Sequence, residues 1–152
     1  MYITLEADYA IRISRCLAFH GTRLDAQKIS DMTKVSRRFC LKILRKLVSS
    51  GVVVSFKGAK GGYKLAAPPK EITLGRVIAT VEGEYCFSRC VKDGFLCQYS
   101  CGEPCCINEI FSDISEKVSQ MLENITLEDI LKKSKIRENW YEKNMSPAEI
   151  AG

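Results

Sequence analysis

Cysteine is the residue type whose number and spacing in this chain point most directly to chemistry. Six of the eight cysteines fall within the stretch CFSRCVKDGFLCQYSCGEPCC, and they are Cys86, Cys90, Cys97, Cys101, Cys105 and Cys106. Thiolates hold iron-sulfur clusters and zinc, and exposed thiolates are also readily oxidised. Structural zinc sites usually show Cys-x2-Cys or Cys-x4-Cys pairs, whereas the short spacings here are Cys-x3-Cys. The stretch therefore favours an iron-sulfur cluster, with a thiol switch and zinc as alternatives.

The remaining cysteines and several other reactive or bulky residues are expected to be structural. Cys16 and Cys40 fall on apolar stripes of predicted helices, where a thiol packs as a small apolar side chain. We interpret Tyr9 and Phe39 as core residues in the same way. His20, the single histidine, lies at a predicted helix end and is not expected to be a ligand. With no second histidine as a base, no Cys-x3-Cys-x2-Cys motif and no phosphate-binding glycine loop before a helix, the sequence does not favour an enzyme.

Basic residues are concentrated in the first part of the chain. Residues 1–66 hold 13 Lys/Arg and 4 Asp/Glu, whereas residues 67–152 hold 10 and 14. A basic half is typical of a protein that meets a polyanion such as nucleic acid. No apolar run approaches the roughly 20 residues of a membrane span, and the first residues do not resemble a secretory leader. We therefore expect a cytoplasmic protein with no membrane partner.

Helical periodicity predicts three helices in this basic half. The first covers residues 5–19 and stops at Gly21, the second follows Asp25 as its cap, and Ser36 caps the third after a tight turn. In the third helix an apolar stripe shares one face: Cys40, Ile43, Leu44, Leu47 and Val48. The opposite face carries Arg38, Lys42, Arg45 and Ser49. One face is thus expected to pack and the other to be positively charged.

A β-hairpin is predicted directly after the third helix. The strands VVVSF and YKLAA flank the basic, glycine-rich tip KGAKGG. Helix, tight turn, helix and a two-stranded wing form the order of a winged helix-turn-helix. The second helix of such a motif enters the major groove by its N-terminal residues, and the wing reaches phosphates or the minor groove. The expected DNA-binding residues are Ser36, Arg37, Arg38, Lys42, Lys57, Lys60 and Gly61.

The second half is predicted to contain a helix opening near Thr73, the cysteine loop and a long helix. Apolar residues recur along that long helix at steps of three, four and seven: Ile107, Ile110, Phe111, Ile114, Val118, Met121, Leu122 and Ile125. A lone helix cannot bury such a seam, which favours a homodimer. A further short helix is expected over TLEDILKK. The predicted fold class is mostly α with a small β-hairpin wing, divided into a DNA-binding domain (1–72), a helix, cysteine loop and dimerisation helix (73–135), and a polar tail (136–152).

Residues 1 to about 110 resemble the IscR/NsrR-type (Rrf-two) family of bacterial transcriptional regulators. The resemblance rests on ADYAIR, on KIS, on LKILRKLVSSGVVVSFKGAKGGYKLAAPPKEITLGRVIATVEG, and on a cysteine-rich loop before a long helix. It implies a winged-helix homodimer that binds a partly palindromic operator in double-stranded DNA. It also implies that an iron-sulfur cluster, 2Fe-2S or 4Fe-4S, is often present and controls that binding; we expect a repressor.

The same resemblance implies a ligand set for the cluster. Three loop cysteines are the usual ligands, and the family spacing is matched by Cys90, Cys97 and Cys105. Asn108 stands where some members have a ligating histidine. That leaves Cys101, or Asp8 at the place from which a carboxylate reaches the partner chain's cluster in NsrR-like members. The alternative function is a cluster-free regulator controlled by cysteine oxidation, zinc or a protein partner, and neither function implies a small-molecule substrate.

Overall fold

The computed structural model describes residues 3–58, 60–92, 94, 95, 97 and 105–144. Within these residues the elements are, in chain order, α1 (Leu5–His20), α2 (Ala26–Thr33), α3 (Arg37–Ser49), β1 (Val53–Phe56), β2 (Gly62–Leu65), α4 (Leu74–Glu82), α5 (Cys106–Glu123) and α6 (Leu127–Asn144). Short 3-10 turns occupy Pro69–Glu71 and Arg89–Val91. The predicted fold class, mostly helical with a two-stranded wing, is confirmed.

Local capping interactions set the helix boundaries as predicted. The side-chain oxygens of Asp25, Ser36 and Thr73 accept hydrogen bonds from backbone N–H groups in the first turns of α2, α3 and α4. These caps satisfy donors that a helix leaves free at its N-terminus. Gly21 ends α1 with a φ of 64°, a left-handed conformation that glycine adopts without steric cost.

A hydrophobic core joins the three N-terminal helices, the wing and the last helix. Its fully buried large side chains are Ile13, Leu17, Ile29, Val35, Ile43, Leu44, Leu47, Val52, Val53, Ile72, Val77 and Leu127. Leu127 lies in α6, so the last helix packs back onto the winged-helix unit. Burial of the apolar side chain of Leu127 is favourable. It places α6 in the same core as the N-terminal helices, although α6 is distant from them in sequence.

Helix α6 begins at the predicted capping pattern but extends further than predicted. The N–H of Thr126 donates to Asp129 Oδ2 (3.0 Å), and the N–H of Asp129 donates to Thr126 Oγ1 (3.1 Å). The hydrogen bonds that Asp129 accepts from the hydroxyl and the N–H of Thr126 lower the pKa of the Asp129 carboxyl. The helix then continues to Asn144, whereas the sequence predicts a short helix over TLEDILKK.

The wing is a regular antiparallel hairpin fastened to the body near its turn. Strand β1 pairs with β2 from Val53↔Leu65 to Phe56↔Gly62. The segment between α1 and α2 adds a bridge, in which the Leu24 N–H donates to the Tyr63 carbonyl (3.0 Å) and the Tyr63 N–H donates to the Leu24 carbonyl (2.8 Å). The Arg23 guanidinium also lies 3.7 Å from the centre of the Phe56 ring. The end of the hairpin next to its turn is therefore held by both backbone and side-chain contacts.

The predicted apolar seam of α5 is only partly covered by the rest of a single chain. Ser115 is the one buried residue of α5, while Ile107 and Ile110 are each 56% exposed and Met121 is 66% exposed. Such a row of exposed apolar side chains marks an interaction surface. Among the described residues, no helix is both long enough and apolar enough to cross a membrane.

Candidate DNA-binding surface and cysteine loop

The N-terminus of α3 presents the residues predicted to read bases. Ser36 accepts a hydrogen bond from the Phe39 N–H (3.5 Å), which fixes the first turn of the helix. Ser36, Arg37 and Arg38 are all exposed at this end. In helix-turn-helix proteins this is the end of the recognition helix that contacts base edges. The structure thus places these three side chains where the sequence predicts, at an accessible helix end.

A row of cations continues along the exposed face of α3. Arg38, Lys42 and Arg45 line a groove of about 510 Å³ together with Phe39. The opposite face is buried as predicted, and burial raises the pKa of the Cys40 thiol to about 11. A thiol of that kind stays protonated and packs as an apolar group. The two faces of α3 therefore divide cleanly into core and cationic surface.

Lys42 has an intramolecular partner that sequence reasoning missed. The carboxylate of Glu6, in the first turn of α1, pairs with the ammonium group of Lys42 and with that of Lys46 (2.6 Å). Hydrogen bonds from both lysines lower the pKa of Glu6. Because Glu6 is 36 residues from Lys42, no local pattern could reveal the pair. A DNA phosphate at Lys42 would have to compete with Glu6.

The interpretation of Phe39 as a core residue is wrong. Its ring remains 42% exposed and meets the half-buried ring of Tyr9 edge-on, with the ring centroids 5.9 Å apart and 63° between the ring planes. Tyr9 does pack against the core. Phe39 lies at the border between the apolar and cationic faces of α3. At such a position helical periodicity alone does not determine whether the side chain is buried or exposed.

The tip of the wing carries two exposed cations on a turn that requires glycine. Lys57 and Lys60 are exposed. The Gly61 N–H donates to the Gly58 carbonyl (2.9 Å), and a Cβ atom at position 61 would lie 2.5 Å from the carbonyl oxygen of Phe56. Gly61 is therefore needed for the turn itself, and its predicted contact with DNA remains a prediction.

The cysteine loop presents several free thiols beside α5. Cys86 and Cys90 are half-buried, whereas Cys97, Cys105 and Cys106 are exposed, and none of these five forms a disulfide. Cys101, one of the predicted ligands, lies outside the described residues.

Hydrogen bonds fasten the first part of the loop to the start of α5. The Asn108 side-chain amide donates to the carbonyl of Cys90 (2.5 Å), and Ser115 Oγ accepts from the Phe87 N–H (2.8 Å). The ring of Phe87 lies 5.1 Å from that of Phe111. From the sequence alone, Asn108 is notable only because it stands where some members of the family have a ligating histidine. In the structure it holds the Cys90 backbone near the N-terminus of α5, which directly follows Cys105.

The predicted ligands are not gathered into a preformed site in the part of the chain that the structure describes. Within those residues, no group of three or more His, Cys, Asp or Glu side chains lies close enough to hold a metal ion. The carboxylate of Asp8 pairs instead with Arg12, one turn later in α1 (2.9 Å). The ligand set Cys90, Cys97, Cys105 with Cys101 or Asp8 therefore remains a prediction.

Comparison with known proteins establishes the family. The family model described as "Rrf2: Iron-dependent Transcriptional regulator" matches residues 3–133. The chain belongs to the Rrf2 family. It is 30% identical over 140 residues to the HTH-type transcriptional regulator IscR of Vibrio campbellii, a match that covers 91% of this chain and 82% of the relative. The protein is thus a DNA-binding transcriptional regulator, not an enzyme.

Solved structures show the same fold. The structure of T. potens IscR matches with a TM-score of 0.71 at 21% identity, covering 100% of this chain and 97% of the other. CymR, the global cysteine regulator of B. subtilis, matches with a TM-score of 0.70 at 24% identity over 88% of this chain and 98% of the other. Both likenesses extend beyond the winged-helix unit.

In this Rrf2 regulator the first turn of α1 contacts both the recognition helix and the flank of the cysteine loop. The Thr4 N–H and hydroxyl donate to Glu82 Oε1 (2.8 and 2.7 Å). Glu82 is the last residue of α4, immediately before the segment that leads to the cysteines. Two residues after Thr4, Glu6 binds the lysines of α3. The contacts of Thr4 and Glu6 therefore join the start of α1 both to the end of α4 and to the lysines of α3.

Proposed function

We propose that this Rrf2 regulator binds operator DNA as a homodimer, and that an iron-sulfur cluster in its cysteine loop controls the binding. The observation that carries the cluster is the hydrogen bond from Asn108 to the Cys90 carbonyl. It holds the Cys90 backbone beside the start of α5, the helix that directly follows Cys105, so two of the proposed ligands belong to the same end of that helix. Soft thiolates so placed suit the inorganic core of a cluster.

Side chains of the protein would supply all the ligands of the proposed cluster. Cys90, Cys97 and Cys105 would hold the cluster, with Cys101 or the partner subunit's Asp8 as the fourth ligand. For Asp8 to ligate, its carboxylate must leave Arg12. When bound, the cluster supplies a centre whose charge and integrity respond to iron, oxidants or nitric oxide.

DNA binding is assigned to the exposed face of α3 and the wing of each subunit. A dimer joined along α5 would present two recognition helices, which must lie about 34 Å apart to enter successive major grooves on one side of the duplex. A change in the loop would shift α4 and the first turn of α1 through the contact between Glu82 and Thr4. It would thereby alter how Glu6 holds the lysines of α3. We propose repression as the regulatory outcome.

The cluster is tested on protein purified without oxygen. We expect visible charge-transfer absorption with matching iron and acid-labile sulfide, and a change in affinity for a selected operator duplex when the cluster is removed. Replacing Cys90, Cys97 or Cys105 with Ser should abolish the absorption. Cys16→Ser, which removes a thiol outside the loop, is the matched control and should retain it. Operator affinity that is the same with and without cluster would overturn the control mechanism.

A thiol switch is the second candidate, and the exposure of Cys97, Cys105 and Cys106 favours it. Exposed thiols near a helix N-terminus are prone to form sulfenic acid or disulfides. This function predicts colourless protein that binds operator, loses affinity on treatment with peroxide and recovers it with dithiothreitol. Colourless protein with one equivalent of zinc would instead identify a zinc site. Each result excludes the cluster as the control element.

A further inference from the structure

We propose that Phe39 reads the methyl group of a thymine in the operator. This inference rests on the proposed docking of α3 in the major groove. It names a sequence-reading contact that is apolar, beside the cationic contacts of Arg38 and its neighbours.

The first argument is the position of the ring. Phe39 is the third residue of α3, in the turn that enters the groove first. Its ring lines the same groove as Arg38, Lys42 and Arg45. The next residue, Cys40, is fully buried and fills the core side of this turn. The ring of Phe39 lies outside that buried core. The ring is therefore accessible to a partner that enters this groove.

The second argument is that the ring is already oriented. Tyr9 meets one side of it edge-on, and the Ser36 cap binds the N–H of Phe39 itself. Both the backbone and the ring are therefore held before DNA arrives. A contact made by an immobilised side chain loses little conformational entropy on binding.

The third argument is chemical complementarity. In the major groove the thymine C5-methyl is the apolar feature of the base edges, and phenylalanine is one of the side chains that contacts it. The neighbouring arginine and lysine side chains can donate hydrogen bonds to phosphates and to guanine. A phenyl ring cannot make these hydrogen bonds. Covering one methyl group is worth roughly a fourfold change in affinity. The ring therefore adds discrimination at an A·T pair adjacent to the cationic contacts.

The test separates the methyl group from every other feature of the base. Duplexes that bind wild-type protein are enriched from a random-sequence library, and each thymine of the consensus is then replaced in both half-sites by deoxyuridine, which lacks only the methyl. We expect one position at which the replacement weakens wild-type binding about fourfold per half-site. The variant Phe39→Ala should bind the thymine and deoxyuridine duplexes equally. Phe19→Ala removes another exposed ring, on α1 and 60% exposed, and should keep the wild-type ratio.

A second measurement needs no variant and so does not depend on how well Phe39→Ala folds. 5-Iodouracil places an iodine where the methyl lies and crosslinks to an adjacent aromatic ring under near-ultraviolet light. We expect the crosslink at the sensitive position to map to the peptide that contains Phe39. A crosslink to another residue, or an unchanged thymine-to-deoxyuridine ratio in Phe39→Ala, overturns the inference while DNA binding stands. If wild-type protein enriches no duplex, the proposed function itself fails.

Discussion

A single carboxylate, Glu6, holds two lysines that the recognition helix would otherwise offer to DNA. The pairs are only partly shielded from water, so they contribute little to folding stability. Their effect on binding is larger, because each lysine must exchange Glu6 for a phosphate when the complex forms. Glu6 thus acts as an internal competitor for the polyanion, placed on α1 rather than on the DNA-binding helix.

Removing that competitor should strengthen DNA binding. In Glu6→Gln the lysines are free to meet phosphates, so we expect tighter binding to an operator duplex and a steeper salt dependence. Each additional phosphate contact makes the slope of log K against log salt more negative by about 0.9. Fluorescence anisotropy over a salt series measures this slope. Glu128→Gln is the matched control, since Glu128 pairs with Lys132 on α6 (2.7 Å), and it should leave the slope unchanged. An unaltered slope in Glu6→Gln would show that the lysines do not reach phosphates.

The same pair predicts a pH dependence of folding stability. Because the pKa of Glu6 is lowered from its ordinary value of 4.5 by Lys42 and Lys46, the pairing stabilises the fold fully above that ordinary value. The stabilisation is lost as pH falls through the lowered pKa. We therefore expect wild type to melt slightly above Glu6→Gln at pH 7 and the two melting temperatures to converge in strong acid. Thermal melts followed by circular dichroism from pH 7 to pH 3 measure the difference, and a constant gap would contradict the assignment.

At the scale of elements, the attachment of the wing to the body depends on a close backbone approach at Gly62. Gly62 has a φ of 139°, and a Cβ atom there would lie 2.6 Å from the carbonyl oxygen of Leu24. The carbonyl cannot move away cheaply, because it accepts the hydrogen bond from Tyr63 that fastens the wing. A side chain at position 62 must therefore break either the hairpin or its attachment.

We expect Gly62→Ala to lower the free energy of unfolding by about 3 kcal/mol, from backbone strain plus the clash. Gly21→Ala is the matched control, since Gly21 also has a positive φ (64°) but open space around its Cα. It should cost about 1 kcal/mol, the backbone term alone. Urea denaturation of both variants measures the two costs. Equal losses would mean that the contact with Leu24 relaxes freely.

Elements fixed by local signals are the ones that the sequence predicts well. The caps at Asp25, Ser36 and Thr73 and the stop at Gly21 lie where the sequence places them, because each depends on residues within one turn. The pairing of Glu6 with Lys42 depends on how α1 crosses α3, which periodicity does not encode. The place of α6 in the core is not predicted from the sequence, because Leu127 is buried against elements that are far away along the chain. The proposed cysteine ligands rest on sequence spacing and family resemblance, whereas the anchoring role of Asn108 is visible only in the structure.

At the scale of the whole molecule, the apolar seam of α5 is only partly covered within a single chain. Ile107, Ile110 and Met121 of this seam are exposed, while the core beneath the winged-helix unit is closed without them. Burial of such a seam against its copy would bring two cysteine loops, which lie at the start of α5, into one assembly. Dimerisation and control of DNA binding are therefore expected to depend on the same helix.

Placing a charge in that seam should separate the subunits without unfolding them. Ile110 is already 56% exposed in the single chain, so Ile110→Lys disturbs little within one subunit but would bury an unpaired ammonium group in the dimer. We expect sedimentation velocity to show a monomer and operator affinity to fall at least tenfold, because one half-site then binds alone. Gln120→Lys adds the same charge at an exposed position of α5 outside the seam and should remain dimeric. A dimer that survives Ile110→Lys with full operator affinity would place the subunit interface elsewhere, and the cysteine loops of the two subunits would then no longer be expected to meet along α5.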